Sequence, residues 1–168
     1  MDITSIDFLV SLKGYVKNAN DLGAPVYAPE VKKSISLADG NGANQAKIIW
    51  GDTRTVSAGS NDDLDLAGVL ADAFGATVTA VEMVGLIITT PTTNGNALNI
   101  GGGSNPWISM WLATGDGIKV FPGGVFCNVA PDANGLGTVT AGTADILRIA
   151  NPGGAACDYT IGIVARTA

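Results

Sequence analysis

Histidine is absent from the sequence, and cysteine and glutamate occur only twice each. Without histidine the chain has no imidazole to act as a base, a proton shuttle or a metal ligand. No Gly-x-Ser-x-Gly motif is present to position a serine nucleophile. Charged residues make up 14% of the 168 residues, whereas about 25% is usual in a soluble domain. These absences predict a protein that is not an enzyme and that uses no cofactor or metal.

The balance of charge argues against two classes of partner. The net charge is −6 and the nine basic residues are scattered, whereas a nucleic-acid binder needs a basic surface that displaces counterions from phosphate. An acidic surface is also unfavourable on anionic membranes. The most apolar run, residues 78–88, contains Glu82 and is too short to cross a bilayer, and the N-terminus lacks the basic start of a signal peptide. We therefore expect no nucleic acid, no membrane and no targeting segment.

The apolar content has to be buried somewhere. Mean hydropathy is +0.31, which is high for a chain with few charges and no membrane segment. Apolar surface of this kind lies either in a core or in contacts between subunits. The composition predicts a homo-oligomer, with a trimer as the first expectation.

Alternating apolar residues dominate, and turn residues separate them. Tyr159, Ile161 and Ile163 share one face of a predicted strand, and Leu147 and Ile149 share one face of another. Roughly nine short strands, spaced by about 8–12 residues and punctuated by Gly, Pro and Asn, are typical of an all-β sandwich or barrel. We predict an antiparallel β-sandwich, with a jelly roll as one arrangement that the pattern allows.

The N-terminal part of the chain is less regular than the rest. Pro25 and Pro29 disfavour a central strand there, so we divide the chain into an N-terminal arm, residues 1–33, and a β-sandwich domain, residues 34–168. Six apolar residues of the arm are predicted to bury themselves against a neighbouring subunit or a capsid, because each would otherwise forgo about 1.5–3 kcal/mol. These predicted contact residues are Ile3, Ile6, Phe8, Leu9, Val10 and Leu12.

Two segments could signal a ligand, and each has a simpler interpretation. The glycines of residues 101–103 could cradle a phosphate, but no Lys-Ser/Thr and helix follow them, which favours a turn between strands. The acidic segment Asn61–Asp65 could hold a cation. Its alternation of acids with Leu64 also fits a strand with one solvated face, which is the favoured interpretation.

Tryptophan and cysteine leave further alternatives open. Trp107 and Trp111 flank a turn, where they could stack on a glycan, or they could pack in the core or at a subunit contact, which is favoured. Cys127 is predicted to be a small buried residue. A bridge between Cys127 and Cys157 would require adjacent strands, and free thiols are the favoured state in a chain that is not secreted.

Several segments resemble structural proteins of tailed bacteriophages. The similarity is carried by residues 35–46, 60–68, 122–124 and 137–151 and by the final Tyr-Thr-Ile-Gly-Ile-Val of residues 159–164. It covers most of residues 34–168 and rests on Gly, Ala and Thr patterns without a catalytic motif. Members of this group are small β-sandwich virion proteins, namely head decoration (cement) proteins or tail components.

The resemblance and the composition predict a non-enzymatic virion protein. We expect a capsid decoration protein, assembled in the host cytoplasm, that stabilises the head by bridging capsid subunits. Its partners would be the major capsid protein and further copies of itself, most simply as a homotrimer. The alternative is a tail or head-fibre component that binds host-surface glycan through Trp107 and Trp111. A bacterial carbohydrate-binding sandwich outside any virus is a third interpretation.

Overall fold

The computed structural model describes residues 3–18 and 26–167, so Pro25 and the outer ends of both predicted domains lie outside the described residues. The described residues form β-strands and contain no helix, which confirms the all-β prediction. The fourteen strands of this part of the chain are β1 (Ile6–Lys13), β2 (Val16–Lys17), β3 (Val26–Tyr27), β4 (Glu30–Asp39), β5 (Gln45–Ala46), β6 (Ile48–Val56), β7 (Asn61–Asp65), β8 (Glu82–Thr89), β9 (Leu98–Gly101), β10 (Gly117–Val120), β11 (Val125–Val129), β12 (Gly137–Thr138), β13 (Ile146–Ala150) and β14 (Cys157–Arg166).

Two antiparallel sheets form the body of the molecule. One is five-stranded, with the order β11-β8-β14-β6 and β12 also beside β8, and the other is four-stranded, with the order β10-β9-β13-β7. The pairs are nested along the chain: β6 pairs with β14, β7 with β13, β8 with β11 and β9 with β10. Consecutive strands β6 and β7 therefore lie in different sheets, so the chain passes between the layers of a sandwich.

The core lies between these sheets and follows the predicted alternation. Tyr159, Ile161 and Ile163 of β14 are at most 2% exposed, and Leu147 and Ile149 of β13 are buried opposite them in the same cluster. Side chains on one face of a strand recur every second residue, so a strand with a single buried face shows this pattern in its sequence. The predicted inward faces of β13 and β14 are confirmed.

Some strand limits differ from the sequence prediction. In the sequence, residues 47–50 and 53–57 are two separate strand candidates, but the structure joins them in the single strand β6. An unbroken ladder with β14 holds Gly51 opposite Gly162. Residues 77–90 are rich in β-branched side chains, which predicts one long strand, but β8 begins only at Glu82. The amides of Val78 and Ala80 instead donate to the carbonyls of Leu70 and Leu66 in the preceding loop.

The N-terminal segment forms a β-hairpin. β1 pairs with β4 along its whole length, from Ile6 opposite Leu37 to Lys13 opposite Glu30, and the short strands β2 and β3 continue the hairpin beyond Gly14. The predicted boundary between residues 33 and 34 therefore falls inside β4. We call β1 to β4 the N-terminal hairpin.

The base of this hairpin packs on the outer face of the five-stranded sheet. A second small core there contains Ile3, Ile6, Leu37, Val84 and Val164, with Phe8 and Ile35 packed against it. The register shifts by one residue where β8 passes β14, between Val164 and Ala165. Because of this shift, the consecutive residues Val84 and Gly85 both face the hairpin. Val84 is buried in the second core, and the ring of Phe8 lies over Gly85.

Gly85 makes the close approach of the hairpin possible. A Cβ at this position would lie 2.6 Å from Cζ of Phe8, closer than carbon atoms can approach. The missing side chain therefore lets the aromatic ring lie directly on the sheet backbone.

Candidate contact surface

The two faces of the N-terminal hairpin have different chemistry. Residues opposite each other in antiparallel strands project to the same side, so the β1–β4 register sorts the side chains. One face carries what we call the apolar stripe, which consists of Ile6, Phe8, Val10 and Leu12 of β1 with Val31, Ile35 and Leu37 of β4, interrupted by Lys33. The other face is mostly polar, with Asp7 opposite Ser36 and Lys13 opposite Glu30.

The apolar stripe runs from the second core out into solvent. Ile6 and Leu37 at its base are buried, and Phe8 and Ile35 are half-buried. Farther along, the exposed fractions are 55% for Val10, 64% for Leu12 and 70% for Val31. A two-stranded hairpin has little core of its own, so its outer half presents apolar side chains that its own chain leaves uncovered.

The six arm residues predicted to contact a neighbour therefore divide into two groups. Ile3 and Ile6 are buried in this chain's own second core, and Phe8 is half-buried there. No described residue of the arm belongs to the main core between the sheets, as the sequence predicts. Ile3 and Ile6 are nevertheless covered by their own chain and not by a neighbour, because the hairpin folds back onto the outer face of the sheet. Leu9, Val10 and Leu12 stay exposed and are the members of the set available to a partner.

An apolar groove lies beside the hairpin on the outer face of the five-stranded sheet. Its wall is formed by residues 6–9 of β1, and its volume is about 360 Å³. The floor consists of Ile49, Ile87, Cys127, Gly162, Ile163 and Val164. Gly162, which pairs with Ile87, has no side chain to fill the groove. We refer to this feature as the groove.

Cys127 lies on the floor of the groove and is half-buried, so the prediction of a fully buried small residue is wrong. In β11 the neighbouring Phe126 packs against the main core instead, which turns Cys127 to the outer face. Burial against the hairpin side raises the pKa of its thiol. Cys127 and Cys157 are both free, and β8 separates their strands.

The two tryptophans of the predicted glycan loop are engaged within the chain. Trp107 is 1% exposed, and its Nε1 donates to the carbonyl of Thr138 at 3.1 Å. Trp111 is half-buried and stacks on Phe126 with ring centroids 6.3 Å apart. Trp107 thus lies in the core, as the favoured interpretation held, and it offers no face to a sugar.

The acidic segment Asn61–Asp65 is strand β7, and it bonds to neighbouring strands. Asp62 accepts two bonds from Arg54, at 2.6 and 3.1 Å, and a third from the hydroxyl of Tyr159 at 2.8 Å. Burial and the adjacent Asp62 carboxylate raise the pKa of Tyr159, which keeps this hydroxyl a donor. Arg54 belongs to β6 and Asp62 to β7, so this network connects the edges of the two sheets.

The next acid on β7 has its own partner. Asp63 accepts bonds from Nε and Nη2 of Arg148 at 2.6 and 2.7 Å, and this guanidinium lowers the pKa of Asp63. Across residues 3–18 and 26–167, no group of three or more His, Cys, Asp or Glu side chains is arranged to hold a metal ion. Asp62 and Asp63 each link β7 to other strands, whereas Asp65 accepts a local bond from the amide of Ala67.

The glycines at 101–103 form a loop. All three have positive φ, between 75° and 113°, and β9 ends at the first of them. No helix follows in the described chain, which agrees with the turn interpretation. In that same part of the chain, no helix is long and apolar enough to cross a membrane.

The β4 half of the apolar stripe was only partly predicted from the sequence. Residues 34–37 are a strand candidate there, but Lys32-Lys33 and the nearby Pro29 made residues 30–33 resemble the end of a loose arm, whereas β4 begins at Glu30. The alternation from residue 31 to residue 37 was the signal that could have found it.

Comparison of the chain with protein-family models, with curated proteins and with solved structures gave no match.

Proposed function

We propose that this protein is a non-enzymatic structural component of a tailed-bacteriophage virion, and specifically a capsid decoration protein. The observation that carries the proposal is the N-terminal hairpin, which extends from a compact β-sandwich and exposes Leu9, Val10 and Leu12. Burial of such side chains at many repeated contacts gives strong attachment from weak individual sites. In this role the protein bridges neighbouring capsid subunits and stabilises the head.

The strand order supports the proposal at the level of fold. We propose that the sandwich is a jelly roll, since its eight main strands pair in nested order, first with last and second with next-to-last. Jelly rolls are frequent in viral capsid proteins, and they also occur in lectins. The fold is therefore compatible with the virion role and does not by itself separate it from glycan binding.

The proposed partners are the major capsid protein and further copies of the same chain, with a trimer as the proposed oligomer. Few charges and a mean hydropathy of +0.31 favour such an assembly. The glycan-binding fibre role finds less support, since Trp107 is buried. Copy number separates the two roles, because a decoration protein occurs in hundreds of copies per particle and a fibre protein in a few.

Co-sedimentation with undecorated capsid shells tests the proposal. The variant Leu9→Ser/Val10→Ser/Leu12→Ser should keep the melting temperature of the parent, because all three side chains are exposed. It should bind shells at least about tenfold more weakly, since each lost apolar contact is worth about 1.5 kcal/mol or more. Val69→Ser/Phe74→Ser removes equally exposed apolar side chains outside the hairpin and should bind like the parent. Equal binding by all three proteins would refute the proposed attachment surface.

A further inference from the structure

β1 is an edge strand with an unprotected outer edge. Among the described residues it pairs only with β4, so every second N–H and C=O of β1 points away from the hairpin. Edge strands are usually protected from association by charged side chains, by proline, by a bulge or by inward-pointing charge. The two charges of β1, Asp7 and Lys13, lie near its ends and leave its centre uncharged. Residues 6–13 contain no proline, form an unbroken register with β4, and carry apolar side chains toward the sheet. The same edge borders the groove through residues 6–9.

The sequence of β1 is self-complementary in one antiparallel register. When Val10 lies opposite Val10 of a second copy, Phe8 lies opposite Leu12, and Asp7 lies opposite Lys13. Apolar side chains then meet on the face of the apolar stripe, and opposite charges meet on the other face, twice each by symmetry. Such cross-strand pairs are the contacts that stabilise antiparallel strands.

Neighbouring registers are less favourable. A shift by one residue turns the two apolar stripes to opposite faces, because side chains alternate along a strand. A shift by two residues in one direction places Leu9 opposite Lys13, and in the other direction it moves both Asp7 and Lys13 opposite serines. Of these registers, only the one centred on Val10 places Asp7 opposite Lys13 and also keeps the two apolar stripes on the same face.

We propose that β1 pairs with β1 of a second copy of this chain about a two-fold axis at Val10. The contact forms a continuous four-stranded sheet, β4-β1-β1-β4, with both apolar stripes on one side. Because Leu12 of the second copy lies beside Phe8, its side chain enters the groove above Ile87 and Gly162. The exposed Leu12 of each copy is thereby buried on the partner's sheet, and the two Val10 side chains meet at the axis.

The inference gives the hairpin surface of the proposed function a second copy of this chain as its direct partner. The serine variant of the hairpin would then weaken shell binding by breaking the link between neighbouring copies. The pairing itself does not require the virion role. A two-fold contact is closed and uses the same patch on both chains. It leaves the sandwich bodies free for the proposed trimer, so the hairpins would connect one trimer to the next across a shell. The contact can be measured without any capsid.

Site-specific disulfide formation tests the axis. In a Cys127→Ser background, Val10→Cys places two thiols opposite each other, within the Cα separation of about 5.5–6 Å that a disulfide needs. Leu12→Cys is the matched control, because its side chain is similarly exposed on the same face. In the proposed register the two residues at position 12 are offset by four positions, about 13 Å. Mild oxidation at micromolar protein should convert Val10→Cys to a covalent dimer on a non-reducing denaturing gel and leave Leu12→Cys monomeric.

A charge change tests the register. In the Val10→Cys protein, Asp7→Lys places a lysine of each copy opposite Lys13 of the other. The two resulting pairs of like charge should slow cross-linking severalfold. Adding Lys13→Glu restores opposite charges between the two copies, and Glu30→Lys keeps opposite charges at positions 13 and 30 within each hairpin. The triple change should therefore restore the rate of cross-linking. Asp7 also accepts a bond from Ser36, so Ser36→Ala serves as the control and should leave the rate unchanged.

The two proposals fail in different ways. Absent cross-linking, equal cross-linking at positions 10 and 12, or a rate that ignores Asp7→Lys would overturn the paired-hairpin inference even if the protein binds shells. Efficient cross-linking specific to position 10, with no binding to shells, would support the pairing and count against the decoration role.

Discussion

Replacing Gly85 with alanine tests whether the base of the N-terminal hairpin lies on the sheet in solution. The added Cβ would lie 2.6 Å from Cζ of Phe8 and 3.2 Å from a second ring carbon, so the ring has to move. Overpacking of this kind costs about 1–3 kcal/mol. Gly85 does not have the positive φ that favours glycine, so the backbone itself should accept alanine.

The partner change, Phe8→Ala, removes the obstacle. Full burial of a phenylalanine is worth about 3–5 kcal/mol against alanine, so the half-buried Phe8 should contribute about 2 kcal/mol. In the Phe8→Ala background, the three ring carbons nearest to the added Cβ are absent. Gly85→Ala should then be neutral, or it should stabilise the protein by about 0.4–1 kcal/mol because alanine lowers the conformational entropy of the unfolded chain. The sign of the Gly85→Ala effect should therefore depend on the residue at position 8.

Urea unfolding of the parent, both single variants and the double variant measures this coupling free energy. Thermal melting provides a second measure, since about 1 kcal/mol corresponds to roughly 2–4 °C in a domain of this size. Gly154→Ala is the control, because a Cβ there meets nothing within 4 Å, and its effect should be the same in both backgrounds. If Gly85→Ala costs the same with and without Phe8, the ring does not lie over Gly85.

Three further changes test the sandwich itself. Ile161→Asp places an unpaired charge in the core and should abolish soluble folding, whereas Thr160→Asp, one residue away on the exposed face, should fold; expression and circular dichroism distinguish them. Trp107→Phe removes a buried hydrogen bond to a backbone carbonyl and should lower the free energy of unfolding by about 1–3 kcal/mol in urea titration. Arg148 lowers the pKa of Asp63, so the stability that Asp63 adds is present above its unfolded pKa of about 3.9 and is lost as pH falls through the lower folded value. Asp63→Asn should therefore flatten the loss of stability below about pH 4, and an unchanged acid profile would refute this assignment.

The sequence predicted β13 and the first half of β14 well because each has one buried face there. Alternation along a single strand is a local signal, and it correctly predicted that Tyr159, Ile161 and Ile163 face the core. The same reasoning failed at Cys127, where an edge strand has side chains with partial cover on both faces. Its alternation was visible, but the sequence did not tell which face meets the main core.

The hairpin was missed for a different reason. The pairing of residues 6–13 with residues 30–37 is a contact between distant parts of the chain, and no local pattern encodes it. The one-residue register shift at Val84 and Gly85 is also invisible in a two-residue period, yet it allows Phe8 to dock. The exposed Leu9, Val10 and Leu12 were singled out correctly as apolar and uncovered, because the segment has too few apolar neighbours to bury them.

The nested strand order has a consequence for how the protein is made. β14 lies between β6 and β8 in the five-stranded sheet, although it is the last strand of the described chain. Until the ribosome has released residues 157–166, β6 and β8 have no common neighbour and the sheet lacks its centre. The sandwich must therefore form after synthesis of its final strand, through contacts between distant residues that make folding slow. A chain interrupted before Cys157 would leave two open strand edges, which are prone to aggregate.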